Sequence, residues 1–163
     1  MKNHFSGTFQ GKKVLVTGHT GFKGSWLSLW LKELGAEVIG YSLESPTNPN
    51  NFSLSRINEG LINIHGDIRD YPSLKNTVEE FEPEIIFHLA AQPIVLHSFT
   101  YPKETFDINS GGSINLLEAA RHCPSVKAII MITSDKCYEN REWLWGYREN
   151  DPMGGHDPYS ASK

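Results

Sequence analysis

Cysteine is scarce: it occurs twice in 163 residues, at Cys123 and Cys137, with neither a scaffold pattern nor metal-ligand spacing. That argues against a disulfide framework and fits reduced thiols in a cytoplasmic protein. Seven histidines are scattered without an H-E-x-x-H or similar grouping, so no metal is expected. No apolar run approaches the roughly 20 residues of a membrane span, and residues 1–10 lack the apolar core of a secretory signal. Neither sign of charge dominates. A net charge of -4 gives no electrostatic basis for binding nucleic acid or an anionic membrane. There is no internal repeat and no low-complexity tract. What remains is a composition 39% hydrophobic and 21% charged, with length enough for one domain and a real core.

The most informative stretch is residues 12–34, KKVLVTGHTGFKGSWLSLWLKEL. Val14, Leu15 and Val16 are dense enough for a strand buried on both faces. Gly18, Gly21 and Gly24 follow, and then Leu27, Trp30, Leu31 and Leu34 recur at helical spacing, which predicts one buried helix face. Strand, glycine-rich turn and helix form the phosphate-binding unit of a dinucleotide fold. Such a turn aims free backbone N–H groups and the positive helix end at a pyrophosphate. A plain structural turn is the alternative. Cofactor contacts are expected from Gly18, His19, Thr20, Gly21, Phe22, Lys23 and Gly24.

Gly35 predicts the helix stop and residues 37–42 a second strand. Dinucleotide folds often end that strand on an acid that holds the adenosine ribose. Here it ends in Tyr41, Ser42 and Leu43, with Glu44 the first carboxylate and no arginine nearby, so NAD and NADP are not separated. Glu44 reads equally as a solvated loop carboxylate. Residues 45–58, rich in Pro, Asn and Ser, predict a surface loop. Residues 61–65 read as a third strand, followed by Gly66, Asp67 and Ile68. Asp67 either faces the adenine or caps the next helix. Residues 85–89 read as a fourth strand running into Ala90 and Ala91; with Leu89, these small residues would let a cofactor pass close to the backbone. Within it, His88 reads as a satisfied core histidine. Residues 93–102 predict a loop, residues 104–122 a helix carrying Ile108, Asn109, Ile114, Leu117 and Ala120, and residues 128–132 a fifth strand. Strands alternating with helices imply an α/β fold with a doubly wound parallel sheet, ordered 3-2-1-4-5 by right-handed crossovers.

Two clusters carry chemistry. Tyr159 and Lys163 are four apart and would share a helix face. A phenol ionises near pH 10 in water and is a poor base at neutrality, but a neighbouring ammonium favours the phenolate. The pair is therefore suited to removing a hydroxyl proton as hydride leaves for a nicotinamide. A single turn after Tyr159 has little to offset its nucleation cost, so the tail is expected to fray. The second cluster is Thr133, Ser134, Asp135 and Lys136 at a strand's carboxyl end, where open α/β sheets bind ligands. Ser134 can bond a substrate oxygen beside Tyr159. An extra acid and base at Asp135 and Lys136 suit an enzyme that also expels water; a solvated ion pair is the alternative. Between the clusters, Trp143, Trp145 and Tyr147 make residues 139–151 too aromatic for an idle linker.

The segments GHTGFKGSW, FHLAAQP, TSDKCYENREWLWGYRENDPMGG and DPYSASK resemble the nucleotide-sugar 4,6-dehydratases, a branch of the extended short-chain dehydrogenase/reductase superfamily. Asp135-Lys136, where sibling dehydratases carry Asp-Glu, favours the CDP-glucose branch over the dTDP-glucose one. The resemblance implies a Rossmann-type domain over residues 1–163, a hydro-lyase activity in deoxysugar biosynthesis, bound NAD and CDP-glucose as substrate. It implies Ser134, Asp135, Lys136, Tyr159 and Lys163 as catalytic residues. Cofactor contacts would add Asp67, Ile68, Leu89, Ala90, Ala91, Thr133, Tyr159 and Lys163 to the glycine turn, with His19 and Lys23 near the pyrophosphate and Asn109 bracing the site. It also implies a homo-oligomer, and further strands and a sugar-nucleotide domain that these 163 residues do not include. The chain thus reads as the cofactor half of a longer enzyme, inactive alone.

Overall fold

The computed structural model describes residues 4–45 and 47–163. Strands β1 (Lys13–Thr17), β2 (Glu37–Ser42), β3 (Ile62–His65), β4 (Ile85–His88) and β5 (Ala128–Met131) form one parallel sheet. Its order is β3-β2-β1-β4-β5, as the crossover rule requires. Register pairs Val16 with Gly40 on one side and with Phe87 on the other, so all five carboxyl ends lie along one edge. The order reverses at β1, which puts the crevice between the β1 and β4 ends at the switch point of the sheet.

Alternation along β1 divides the core. Leu15 joins Ile39, Leu74, Ile86 and Leu116 on one face, and Val14 and Val16 join Leu31 and Val38 on the other. Helices α3 (Tyr71–Phe81) and α6 (Gly112–Arg121) cover the first face, and α1 (Phe22–Glu33) covers the second. Short helices α2 (Asn51–Leu54), α4 (Val95–Thr100), α5 (Pro102–Phe106) and α7 (Pro158–Ser162) complete the chain. No helix among the described residues is long and apolar enough to cross a membrane.

The helices correct the expected buried faces. In α1 the sheet-facing residues are Gly24, Ser25, Ser28 and Leu31, whereas Trp30 is half exposed and meets Phe5 edge-on. Small residues let the helix backbone close on the sheet, which a tryptophan on that face would prevent. In α6 the same holds: Gly112, Leu116, Ala119 and Ala120 are buried, while Ile114 and Leu117 face outward. Residues 93–102 contain α4 rather than only loop, and residues 45–58 contain α2, capped by the Asn50 side chain; Pro46 lies outside the described residues. The helix expected over 104–122 carries a π-helical turn, Asp107–Gly111, between α5 and α6.

Candidate functional site

The glycine turn leaves β1 at the crevice. Its three glycines do different work. Gly18 has φ +73°, and a side chain there would sit 2.7 Å from the Ala90 backbone nitrogen. Gly24 is closed off by the backbone of Gly18 and His19. Around Gly21 an added Cβ would meet only the Gly18 carbonyl, at 3.3 Å, so this glycine alone opens outward. Gly21 also starts α1 without a side-chain cap. Among the described residues no acceptor meets the N–H groups of Phe22, Lys23 and Gly24, and Ser25 donates to Gly21 O at 2.9 Å as the first bonded turn. A helix start with free amides and an open glycine fits a pyrophosphate.

The other turn residues are placed differently from one another. His19 is fully buried: its Nε2 bonds Asn63 Oδ1 at 2.8 Å, its ring lies edge-on to Phe52 at 5.2 Å, and a side chain at Gly40 would collide with it. It fastens the turn to β2, β3 and α2, and burial holds it below the ordinary imidazole range. Expected near the pyrophosphate, the His19 side chain is instead buried behind the turn, against Asn63 and Phe52. Thr20 bonds Ser42 Oγ and Leu43 O, and Phe22 and Lys23 are exposed on the first helical turn. Asp67 does not cap α3. That role falls to Asp70, which accepts from Ser73 N–H at 3.1 Å, while Asp67 forms an ion pair with Arg69 at 2.6 Å. The Ile68 side chain is buried in the core and its carbonyl accepts from Asn115, leaving only its amide for a ligand.

Thr17, which sequence reasoning passed over, ties the crevice together. Its hydroxyl accepts from the Leu89 and Ala90 amides, both at 3.2 Å, so its own proton goes to His88 Nδ1 at 2.7 Å. His88 Nε2–H then donates to Ser113 Oγ at 3.2 Å, and Ser113 donates to Asn109 O at 2.6 Å. The Ala90 backbone thus packs closely against Gly18; Ala91 is half-buried and leads into Gln92. Both nitrogens of His88 are satisfied. Burial, with the Lys163 charge adding to it, pushes His88 down to about 4. An unfolded imidazole takes up its proton near pH 6.5 and the folded one only near 4. Stability is therefore full above pH 6.5 and falls through that window by about 3 kcal/mol. Denaturant titrations between pH 7 and 4 should show this slope, and His88→Gln should flatten it; an unchanged slope would remove His88 as its source.

Asn109 sits in the π-turn, 3% exposed. Its Oδ1 accepts from Gln92 N–H at 2.8 Å, and its Nδ2 donates to Gln92 O and to Ser162 Oγ at 2.8 Å. Ser162 donates to Tyr159 O, and Ser110 donates to Ser162 O. These bonds, with the Asp157 cap on Ser160, hold α7 although it is a single turn. The expected fraying is corrected by tertiary anchoring. At the end of α7, Lys163 Nζ donates to Ile132 O at 2.9 Å, which carries the ammonium to the end of β5. Burial lowers its pKa below the ordinary lysine range, with Cys137 acting in the opposite direction.

Thr133 is exposed there, and Ser134 starts a short 3-10 turn, Asp135–Cys137. Ser134 Oγ accepts from Lys136 N–H and donates to Asp135 Oδ1, each at 3.2 Å. Among the described residues Asp135 instead accepts from Ser134, and no direct ion pair within 4.0 Å joins Asp135 to Lys136. Both line a cavity of about 280 Å³ with Tyr138, Tyr147, His156 and Asp157. Beside it residues 138–153 fold on themselves: Tyr138 stacks on Tyr147 at 5.2 Å, Trp143 packs on Trp145, and Tyr138 bridges to Met153.

The sheet order, the crevice at its switch point and the glycine turn define a Rossmann-type α/β protein. A family model described as GDP-mannose 4,6 dehydratase matches residues 15–163, and the chain belongs to that family. It is 58% identical to a CDP-glucose 4,6-dehydratase of Salmonella typhimurium, over 95% of this chain and 43% of that one. Among solved structures, a UDP-glucose-4-epimerase from Stenotrophomonas maltophila with bound NAD matches at 28% identity and TM-score 0.80, over 93% of this chain and 45% of that one. A UDP-glucose 4-epimerase of Thermus thermophilus in complex with NAD matches at 29% identity and TM-score 0.76, over 93% and 47%. The chain spans less than half the length of these relatives.

Proposed function

We propose that this chain is the NAD-binding half of a cytoplasmic CDP-glucose 4,6-dehydratase. Bound NAD would supply a hydride acceptor for carbon 4 of the hexose and a hydride source for carbon 6, so the reaction would have no net redox change. The amides of Phe22, Lys23 and Gly24 would hold the pyrophosphate over Gly21, and Thr133 would border the nicotinamide end. Tyr159, with Lys163 and Ser134, takes the proton of the sugar 4-hydroxyl. The resulting 4-ketone acidifies the carbon-5 hydrogen, which Lys136 removes, and Asp135 protonates the departing 6-hydroxyl as water. A proton returned to carbon 5 completes the 4-keto-6-deoxy sugar.

The observation that carries this reading is Lys163 Nζ on Ile132 O, which brings the Tyr159 turn to the Ser134-Asp135-Lys136 turn. An epimerase needs the first cluster and has no use for the acid and base of the second. The 58% identity to the Salmonella enzyme supports CDP-glucose as the substrate. Outward-facing Ile114 and Leu117 support a homo-oligomer. The test joins this chain to a second half of its relatives' length and offers CDP-glucose with NAD. A 4-keto sugar, seen by its absorbance in alkali, is expected, and recovery of only the 4-epimer would refute the reading. The 163 residues alone should turn over at least tenfold more slowly than that complete enzyme, for want of a substrate grip; equal rates would show that the second half contributes nothing.

A further inference from the structure

We propose that Ser134 is a proton relay between the two clusters, so that the proton taken from the sugar 4-hydroxyl is the one that leaves in the water. The relay rests on the dehydratase reading. Oxidation at carbon 4 breaks the O4–H bond and leaves its proton on the Tyr159 oxygen. Elimination breaks the C6–O bond, the electron pair stays on oxygen, and Asp135 gives up a proton to form water. Lys136 takes the carbon-5 proton and returns it. Each turnover therefore leaves Tyr159 one proton rich and Asp135 one proton poor. A single transfer between them closes the cycle.

Ser134 has the hydrogen bonds for that transfer. Its Oγ is fixed by accepting from Lys136 N–H, and its one proton goes to Asp135 Oδ1, each at 3.2 Å. Among the described residues the second lone pair of Oγ has no donor, which leaves it free for the Tyr159 hydroxyl. Lys163 Nζ on Ile132 O brings the Tyr159 turn to this strand end, two residues before Ser134. As the C6–O bond breaks, the other Asp135 oxygen gives its proton to the departing hydroxyl while Oδ1 takes that of Ser134. Tyr159 then replaces the proton on Ser134 and returns to phenolate. Overall the transfer is downhill, because a phenol ionises near pH 10 and water only near about 15.7. The rival source is solvent, reached through the cavity that exposed His156 lines together with Asp135.

The experiment follows single-turnover elimination by the complete enzyme at one pH and ionic strength, in imidazole buffer of rising concentration. The wild-type rate should not change with buffer, because its proton comes from the substrate. Ser134→Ala should slow elimination about tenfold or more and make it rise with imidazole, which then supplies the proton. Ser134→Thr keeps the hydroxyl and should restore a rate independent of buffer. A wild-type rate that rises with imidazole overturns the relay, and so does a Ser134→Ala rate that is unslowed or indifferent to it. Should Ser134→Ala not fold, the wild type and His156→Gln still decide. Unchanged elimination in His156→Gln supports the relay, and a tenfold loss assigns the proton to solvent and overturns it. A wild type that forms no 4-keto-6-deoxy product from CDP-glucose overturns the dehydratase reading as well.

Discussion

Gly21→Val should leave the chain folded while removing dinucleotide binding, and Gly24→Ala should do damage of the opposite kind. At Gly21 an added Cβ meets only one carbonyl oxygen, at 3.3 Å, and the backbone is extended with φ -70°. The fold loses little beyond the modest cap preference of glycine, about 1 kcal/mol or less. A branched side chain there, however, fills the space over the free amides of α1. A loss of about 100-fold in NAD affinity, roughly 3 kcal/mol, is expected by calorimetry. At Gly24 the obstruction is backbone, Gly18 and His19, which cannot rotate aside. Overpacking of this kind costs about 3 kcal/mol or more, a large share of a stability of roughly 5–15 kcal/mol. Denaturant midpoints compare the two variants. A Gly21→Val protein that binds NAD normally would mean that the ligand does not cross this turn.

In the complete enzyme, Asp135→Asn should separate the two halves of the reaction. An asparagine oxygen can still accept from Ser134, so the 3-10 turn that carries Lys136 is retained. What is lost is the proton for the departing 6-hydroxyl, and general acids of this type contribute about 10²- to 10⁴-fold. The Tyr159 and Lys163 pair is untouched. Rapid mixing should therefore show reduced nicotinamide forming in the first turnover while product formation slows by about 10²-fold or more. Equal suppression of both signals would place Asp135 in the first oxidation instead.

Much of this architecture is legible without coordinates because it depends on short-range patterning. A run such as Val14–Leu15–Val16 followed by Gly18 and a helical period defines one strand–turn–helix unit. Repetition of such units, with right-handed crossovers, leaves few sheet orders. The two chemistry-bearing clusters are also local, each within five residues. What the tertiary structure alone decided are choices between locally equivalent options. A 3.6-residue period marks where an apolar face lies, but Trp30 is turned outward and Ser28 inward because only small side chains let α1 close on the sheet. Asp67 is a candidate cap on sequence; Arg69 occupies it, and the cap of α3 falls to Asp70. His19 stands in the glycine turn, yet Asn63, 44 residues away, draws it behind the turn. The hold on α7 comes from Asn109, 53 residues earlier, and from the carbonyl of Ile132, 31 residues earlier. Bonds of that span leave no mark in local spacing, since the partners become neighbours only after the sheet has brought its strand ends to one edge.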